Sequence, residues 1–154
     1  MTSIENAFSS QGLLAKVIAE YAPRQPQIDM ALAVGDAIEK QGCLIVEAGT
    51  GTGKTFAYLL PALLANKAEN SKKIIVSTGT KNLQEQLFHK DVPVLTKAVA
   101  DNIQVALLKG RSNYLCLYRL EMYQHSKGQL DAQLLHDFVK VKKWANSTRS
   151  GDIG

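Results

Sequence analysis

The sequence predicts an α/β fold, on three observations. Short apolar runs that read as buried strands, 43–46, 74–78 and 104–108, alternate with stretches of helical apolar spacing. The first run passes directly into a glycine-rich turn, Glu47-Ala48-Gly49-Thr50-Gly51-Thr52-Gly53-Lys54-Thr55, and then into an apolar helix pattern from Phe56 to Leu64. The second run ends in Ser77-Thr78-Gly79-Thr80, another polar turn that opens a helix. In an open α/β sheet both turns lie beyond the carboxyl ends of the strands, where ligands bind.

Taken in order, residues 1–11 are small and polar and read as a loose N-terminus. Residues 13–21 read as a short amphipathic helix. Ala22-Pro23-Arg24-Gln25-Pro26 breaks it, because a proline turns the residue before it away from helix. From Gln27 to about Lys40, Ile28, Met30, Ala31, Ala33, Val34, Ala37 and Ile38 recur at helical spacing, and Gln41-Gly42 ends that helix. After the strand at 74–78, a helix begins at Lys81 and a further one covers about 91–100, after Pro93. The strand at 104–108 leads into a basic, polar loop, Lys109-Gly110-Arg111-Ser112-Asn113-Tyr114-Leu115-Cys116. Two helical pieces follow, at about 115–126 and 129–147. In the second, Leu130, Leu134, Leu135, Phe138, Val139, Val141 and Trp144 form an apolar stripe that reads as core. Residues 150–154 supply no clear structural end.

The glycine-rich turn carries the most specific chemistry. The pattern Gly-x-x-x-x-Gly-Lys-Ser/Thr between a strand and a helix is that of a phosphate-binding loop, here with Ala48 in the first place. Gly49, Gly51 and Gly53 let the backbone come close to phosphates, with amides pointing inward at the positive end of the following helix. Lys54 reaches the β- and γ-phosphates, and the Thr55 hydroxyl suits Mg²⁺. Arg24 and Gln27 stand ahead of the turn: a glutamine can pair two bonds with an adenine edge, or simply start an exposed helix. The turn at 77–82 suits a second phosphate, such as a nucleic-acid backbone, or is a plain turn with Thr80 as helix cap.

Composition fits one soluble globular domain: 154 residues, 45% hydrophobic and 21% charged, with a net charge of +4. Residues 101–154 hold eight Lys/Arg against five Asp/Glu, so the later third is the more basic. The two cysteines, Cys43 and Cys116, make no disulfide framework. Read on its residues alone, Cys116 is a free thiol or a metal ligand. No apolar run approaches the ~20 residues that span a bilayer, and no secretion pattern opens the chain, which predicts a cytoplasmic protein.

Four stretches together resemble the iron–sulfur superfamily 2 DNA helicases of the DinG/XPD type, and within them the bacterial YoaA-like group. They are Arg24-Gln25-Pro26-Gln27-Ile28-Asp29-Met30, residues 47–55, Ser77-Thr78-Gly79-Thr80-Lys81-Asn82-Leu83-Gln84-Glu85-Gln86-Leu87, and Leu108 to Cys116. The resemblance covers nearly the whole chain. It implies a RecA-like ATP-binding helicase domain, whose N-terminal part is residues 12–108, and the start of an inserted helical iron–sulfur domain at 109–154. It assigns Ala48, Gly49, Thr50, Gly51, Thr52 and Gly53 to the ATP phosphates, Lys54 and Thr55 to catalysis with Mg²⁺, and Arg24 and Gln27 to adenine. Thr78, Gly79 and Thr80 match a loop that touches single-stranded DNA, and Lys109, Arg111 and Arg119 are candidates for its phosphates. Cys116 matches the first of four cysteines on a [4Fe–4S] cluster.

The activity it implies is ATP-driven 5′–3′ movement on single-stranded DNA and unwinding of forked DNA, in repair or replication. Three further cysteines, an Asp-Glu-Ala-His box and a second RecA-like domain are not in this sequence. The chain is therefore expected to be an N-terminal fragment, inactive alone. Two other readings stand beside it: a non-catalytic nucleotide- or DNA-binding module acting with a partner, and another phosphate-loop enzyme such as a small kinase. For the kinase, the sequence shows neither acceptor site nor lid.

Overall fold

The computed structural model describes residues 3–69, 73–99, 103–125 and 132–153. The chain divides into two compact units, Met1–Leu107 and Leu108–Gly154.

The first unit is built on helices α1 (Ile4–Ala7), α2 (Gln25–Glu39), α3 (Lys54–Glu69), α4 (Lys81–Gln86) and α5 (Val92–Val99). Helix α3 packs against both α2 and α5, and α1 against α2. The core joins Ala7, Phe8, Leu14, Ala31, Ala57, Leu60 and Leu95, none of which is exposed to solvent. Residues 3–11, expected to be loose, are therefore ordered against the core. Ser3 caps α1 by accepting a hydrogen bond from the Asn6 amide at 3.2 Å. Ile4, Ala7 and Phe8 then share one face, and a side chain at Gly35 of α2 would come 2.3 Å from Ile4 Cδ1, so α1 seats over that glycine. Residues 13–21, expected as a helix, form turns instead, held by the Ile18 amide on Leu14 O at 2.9 Å and by the Tyr21 hydroxyl, which donates to Phe8 O at 3.1 Å.

Helix α2 ends as a left-handed cap. Gln41, at φ 51°, is the left-handed residue, and the Gly42 amide bonds back to Ala37 O at 2.8 Å. The glycine that marks this stop in the sequence is thus one place beyond the residue that turns the chain. Helices α4 and α5 are not separate. A π-helical turn, Leu87–Asp91, joins them, with the Val92 amide donating to Leu87 O. Pro93 explains it: proline has no N–H to donate, and its ring crowds the carbonyl four residues earlier, so the ladder widens there rather than breaking.

The three expected strands are the main correction. Residues 43–46, 74–78 and 104–108 carry no strand or ladder among the described residues. In the first two of them exposure nonetheless alternates: Leu44 42%, Ile45 100%, Val46 39%, and again Ile74 38%, Ile75 89%, Val76 41%. That is the period of two that a strand gives. Leu44 and Val46 line a shallow groove with Met30, Val34 and Tyr58 of the helices, while Ile45 faces away. A strand of a parallel sheet is defined by partners on its edges and cover on both faces. The segment at 43–46 has cover on one face, and none of the three has a ladder among the described residues.

The second unit holds a 3₁₀ turn (Arg111–Asn113), α6 (Leu117–His125) and α7 (Ala132–Ala145). The stripe on the last helix is core only at Phe138, which stacks on Tyr123 at 6.1 Å between ring centroids. Leu134, Leu135, Val139 and Val141 are exposed, and Leu130 lies outside the described residues. The chain end is anchored: the Leu115 amide donates to Gly151 O at 2.8 Å and the Ile153 amide to Asn113 O at 2.9 Å, with an antiparallel bridge between Tyr114 and Asp152. No helix among the described residues is long and apolar enough to cross a membrane.

Candidate nucleotide-binding site

The site in the first unit is the loop 47–53 and the start of α3. Gly51 and Gly53 both take left-handed backbone, at φ 81° and 79°, a conformation that costs a side chain about 1–2 kcal/mol. Gly49 and Gly51 have nothing within 4 Å of where a Cβ would stand, so a ligand can come directly against their backbone. At Gly53 the space is taken: a Cβ would lie 2.1 Å from Gln27 Nε2. That amide donates to Gly53 O at 2.9 Å, and Gln27 is only 5% exposed. Arg24, in extended backbone just before α2, donates to Gly51 O. The start of α2, through its cap residue Arg24 and Gln27 of its first turn, is therefore bonded to both left-handed glycines of the loop, 27 and 26 residues away in sequence.

Lys54 opens α3 and turns back over the loop, its ammonium donating to Ala48 O and Gly49 O, each at 2.8 Å. Thr52 donates its hydroxyl to Gly49 O. Helix α3 is 16 residues long, and its first-turn amides and macrodipole favour an anion at the loop. The donor set fits ATP with Mg²⁺: a cation, open glycine backbone and a helix N-terminus meet where phosphates would lie, and Thr55 supplies a hydroxyl. Burial pushes the phenol of Tyr58, one turn on, above its ordinary value; its hydrogen bond with Thr55 lowers it again, and Asp91 raises it. Burial likewise raises Tyr21, against the charge of Arg24.

The loop at 77–82 gives Thr80 the plainer of its two roles. Its hydroxyl caps α4, accepting from the Leu83 amide at 3.3 Å, while the Thr78 hydroxyl donates to Thr80 O at 3.3 Å. A side chain at Gly79 would meet nothing within 4 Å. Thr80→Ala is expected to cost about 1 kcal/mol through the lost cap alone, whereas Thr80→Ser keeps it. Equal urea midpoints for the two variants would show that the cap does not matter.

In the second unit, Arg111, Arg119 and Cys116 share a groove with Tyr114, Tyr123 and Phe138. Lys109 does not stand with the exposed arginines. Its side chain is 7% exposed and its ammonium lies 2.9 Å from Asp152, which corrects its expected place at a DNA phosphate: a cation so buried is held by its counter-charge. Nothing in the local sequence pairs Lys109 with Asp152. Cys116 is an exposed free thiol. Among the described residues no group of three or more His, Cys, Asp or Glu side chains could hold a metal, and Cys43 belongs to the other unit. The residues present thus do not make a four-thiolate site.

Comparison with known proteins agrees with the loop's chemistry. A family model described as DEAD/DEAH box helicase matches residues 29–127, from the first turns of α2 through the phosphate loop and past α6. The ATP-dependent DNA helicase YoaA of Escherichia coli (strain K12) is 53% identical over 146 residues, covering 95% of this chain and 22% of that protein. Its namesake in Haemophilus influenzae (strain ATCC 51907 / DSM 11121 / KW20 / Rd) is 50% identical over 150 residues, 97% and 23%. The 3′-5′ exonuclease DinG of Bacillus subtilis (strain 168) is 36% identical over 141 residues, 91% and 15%. The chain spans about a fifth of the length of the first two of these relatives. Since the family match takes in well over half of its residues, and with them the whole loop that Arg24 and Gln27 grip, the chain belongs to the DEAD/DEAH box helicase family.

Proposed function

We propose that this chain is the ATP-binding front part of an ATP-dependent DNA helicase. The observation that carries the reading is the loop itself: two left-handed glycines, each bonded through its carbonyl to a side chain from the start of α2, with Lys54 across the mouth. ATP with Mg²⁺ supplies the phosphoanhydride whose cleavage drives movement. The chain's own part is to bind and orient it. The backbone of Ala48 to Gly53 and the α3 amides take the phosphates, Lys54 neutralises the β/γ oxygens, and Thr55 ligates the metal. Gln27 and Arg24, already on the loop, are placed to report an adenine to it. The alternating exposure of residues 44–46 and 74–76 supports a place for these two segments in a RecA-like sheet.

Thr78, Gly79 and Thr80 touch single-stranded DNA through backbone and Thr78, and Arg111 and Arg119 meet its phosphates. The direction is 5′–3′, the substrate forked DNA, the setting repair or replication, and the place the cytoplasm, where ATP and DNA are both at hand. Residues 12–108 form the ATP-binding part, and 109–154 begin an iron–sulfur domain in which Cys116 is one of four thiolates. That last step rests on the resemblance and needs ligands this chain does not carry.

The test is ATP turnover by the full-length parent. Single-stranded DNA should raise it, and a duplex with a 5′ overhang should be opened in preference to one with a 3′ overhang. Turnover indifferent to single-stranded DNA would overturn the helicase reading; preference for the 3′ overhang would overturn the direction alone.

A further inference from the structure

Lys109 and Asp152 lie 43 residues apart, yet the contacts around them close one small knot. The Lys109 ammonium reaches Asp152 at 2.9 Å, with the lysine side chain 7% and the aspartate 23% exposed. The Lys109 backbone amide donates to the Tyr114 hydroxyl at 2.8 Å, and Tyr114 is itself the bridge partner of Asp152. Asn113, also buried, donates from Nδ2 to Gly110 O at 3.0 Å. On the returning segment, Gly151 takes φ 69° and its amide donates to Thr148 Oγ1 at 3.0 Å, which aims Gly151 O at the Leu115 amide. The surroundings are otherwise open: Leu108 is 81% exposed, and Arg111, Cys116 and Leu117 all face solvent. A buried lysine in so thin a shell is not there for packing. It is held because its charge is matched.

We infer that Lys109 and Asp152 are positioning residues: their ion pair fastens segment 151–153 onto 113–115 and so fixes where the Cys116 thiol and the Arg111 guanidinium stand. Cys116 follows directly on Leu115, the residue whose amide is tied to Gly151, so its attitude is set by a contact with the far end of the unit rather than by α6 alone. Arg111 begins the 3₁₀ turn inside the same knot. The basic loop thus divides its labour. Lys109 is structural, and Arg111 keeps an exposed charge for an anion. The inference concerns how the thiol is held and does not depend on what it ligates.

Two substitutions test it, Lys109→Met and Asp152→Asn, made in the 154-residue chain with Cys43→Ser so that Cys116 is the single thiol. Hydrogen exchange and the rate of iodoacetamide alkylation are read together. The Leu115 and Ile153 amides should lose protection by roughly tenfold in both variants, Cys116 alkylation should change in the same direction in both, and Lys109→Arg, which keeps the cation, should retain most of the protection. The Ile18 and Gly42 amides in the first unit should not change. Unaltered protection at Leu115 in either variant overturns the clasp, and lost protection with unaltered alkylation overturns its role in placing the thiol. The same pair separates the clasp from a DNA contact. If Lys109 met a phosphate, Lys109→Met would weaken binding of a single-stranded oligonucleotide while Asp152→Asn, which removes a negative charge, would strengthen it. A clasp moves both the same way, and opposite signs overturn it.

Discussion

Lys54→Ala in the full-length parent should cost ATP turnover roughly a hundred- to a thousandfold, the scale of removing a preorganised charge from the reacting phosphates. The structure gives the reason in two parts. Lys54 is the first residue of α3, so its ammonium adds to the positive end of that helix at the point where the loop closes. Its two bonds, at 2.8 Å to Ala48 O and Gly49 O, also hold the ammonium in the loop's mouth instead of leaving it to wander in solvent. An alanine would remove the charge and free those carbonyls together. Lys54→Arg keeps the charge but not the fit, since a planar guanidinium cannot place the same point charge between two carbonyls. It should lose nearly as much. Turnover within a few-fold of the unaltered parent in Lys54→Ala would mean that this loop does not hold the hydrolysed nucleotide. Retained nucleotide binding with lost turnover is the expected pattern, and equilibrium binding of a fluorescent ATP analogue separates the two.

What the sequence made legible follows how local each feature is. The phosphate loop was readable because its chemistry lies in nine consecutive residues, and the α3 start, the α2 body and the Thr80 cap are likewise set within a turn of the residues that cause them. Helix α1 was equally local. Ser3 as cap with Ile4, Ala7 and Phe8 on one face is a helix signature, passed over because it is one turn long and lies among small polar residues. The π-turn at Leu87–Asp91 could have been suspected from Pro93, but proline equally permits a break, and only the packing of α5 on α3 keeps the two helices in line. The strands are a different case. The apolar runs at 43–46 and 74–78 point to buried strands, but the structure leaves them largely exposed, with a period of two only at 44–46 and 74–76, and a ladder is a property of partners that no single run can specify. Pairings across long separations were out of reach. That Gln27 bonds Gly53, and that Lys109 is spent on Asp152, depends on where distant parts of the chain come to lie. For Lys109 this reversed the reading: a lysine in a basic loop looks exposed until its counter-charge, 43 residues on, is seen beside it.

Gly53→Ala should be the most damaging single change in the loop after loss of Lys54, and clearly worse than Gly51→Ala. Both glycines sit at nearly the same left-handed angle, so both substitutions meet the same backbone cost, about 1–2 kcal/mol. They part in what surrounds them. At Gly51 the new methyl meets open space, whereas at Gly53 it would lie 2.1 Å from Gln27 Nε2 and 3.0 Å from Gln27 Cδ. Gln27 would have to swing away, breaking its bond to Gly53 O, and it is buried, so its amide would lose a partner without gaining water: about 1–3 kcal/mol more. In nucleotide affinity of the full-length parent, Gly51→Ala should cost roughly tenfold and Gly53→Ala a hundredfold or more. The excess is tied to Gln27 and can be isolated. In a Gln27→Ala background the methyl at position 53 no longer collides, so the two glycine substitutions should cost about the same, and the cycle of single and double variants yields the coupling directly. Equal costs already in the unaltered background would show that Gln27 does not brace the loop. The start of α2 would then meet the nucleotide without any grip on the glycines that shape its phosphate site.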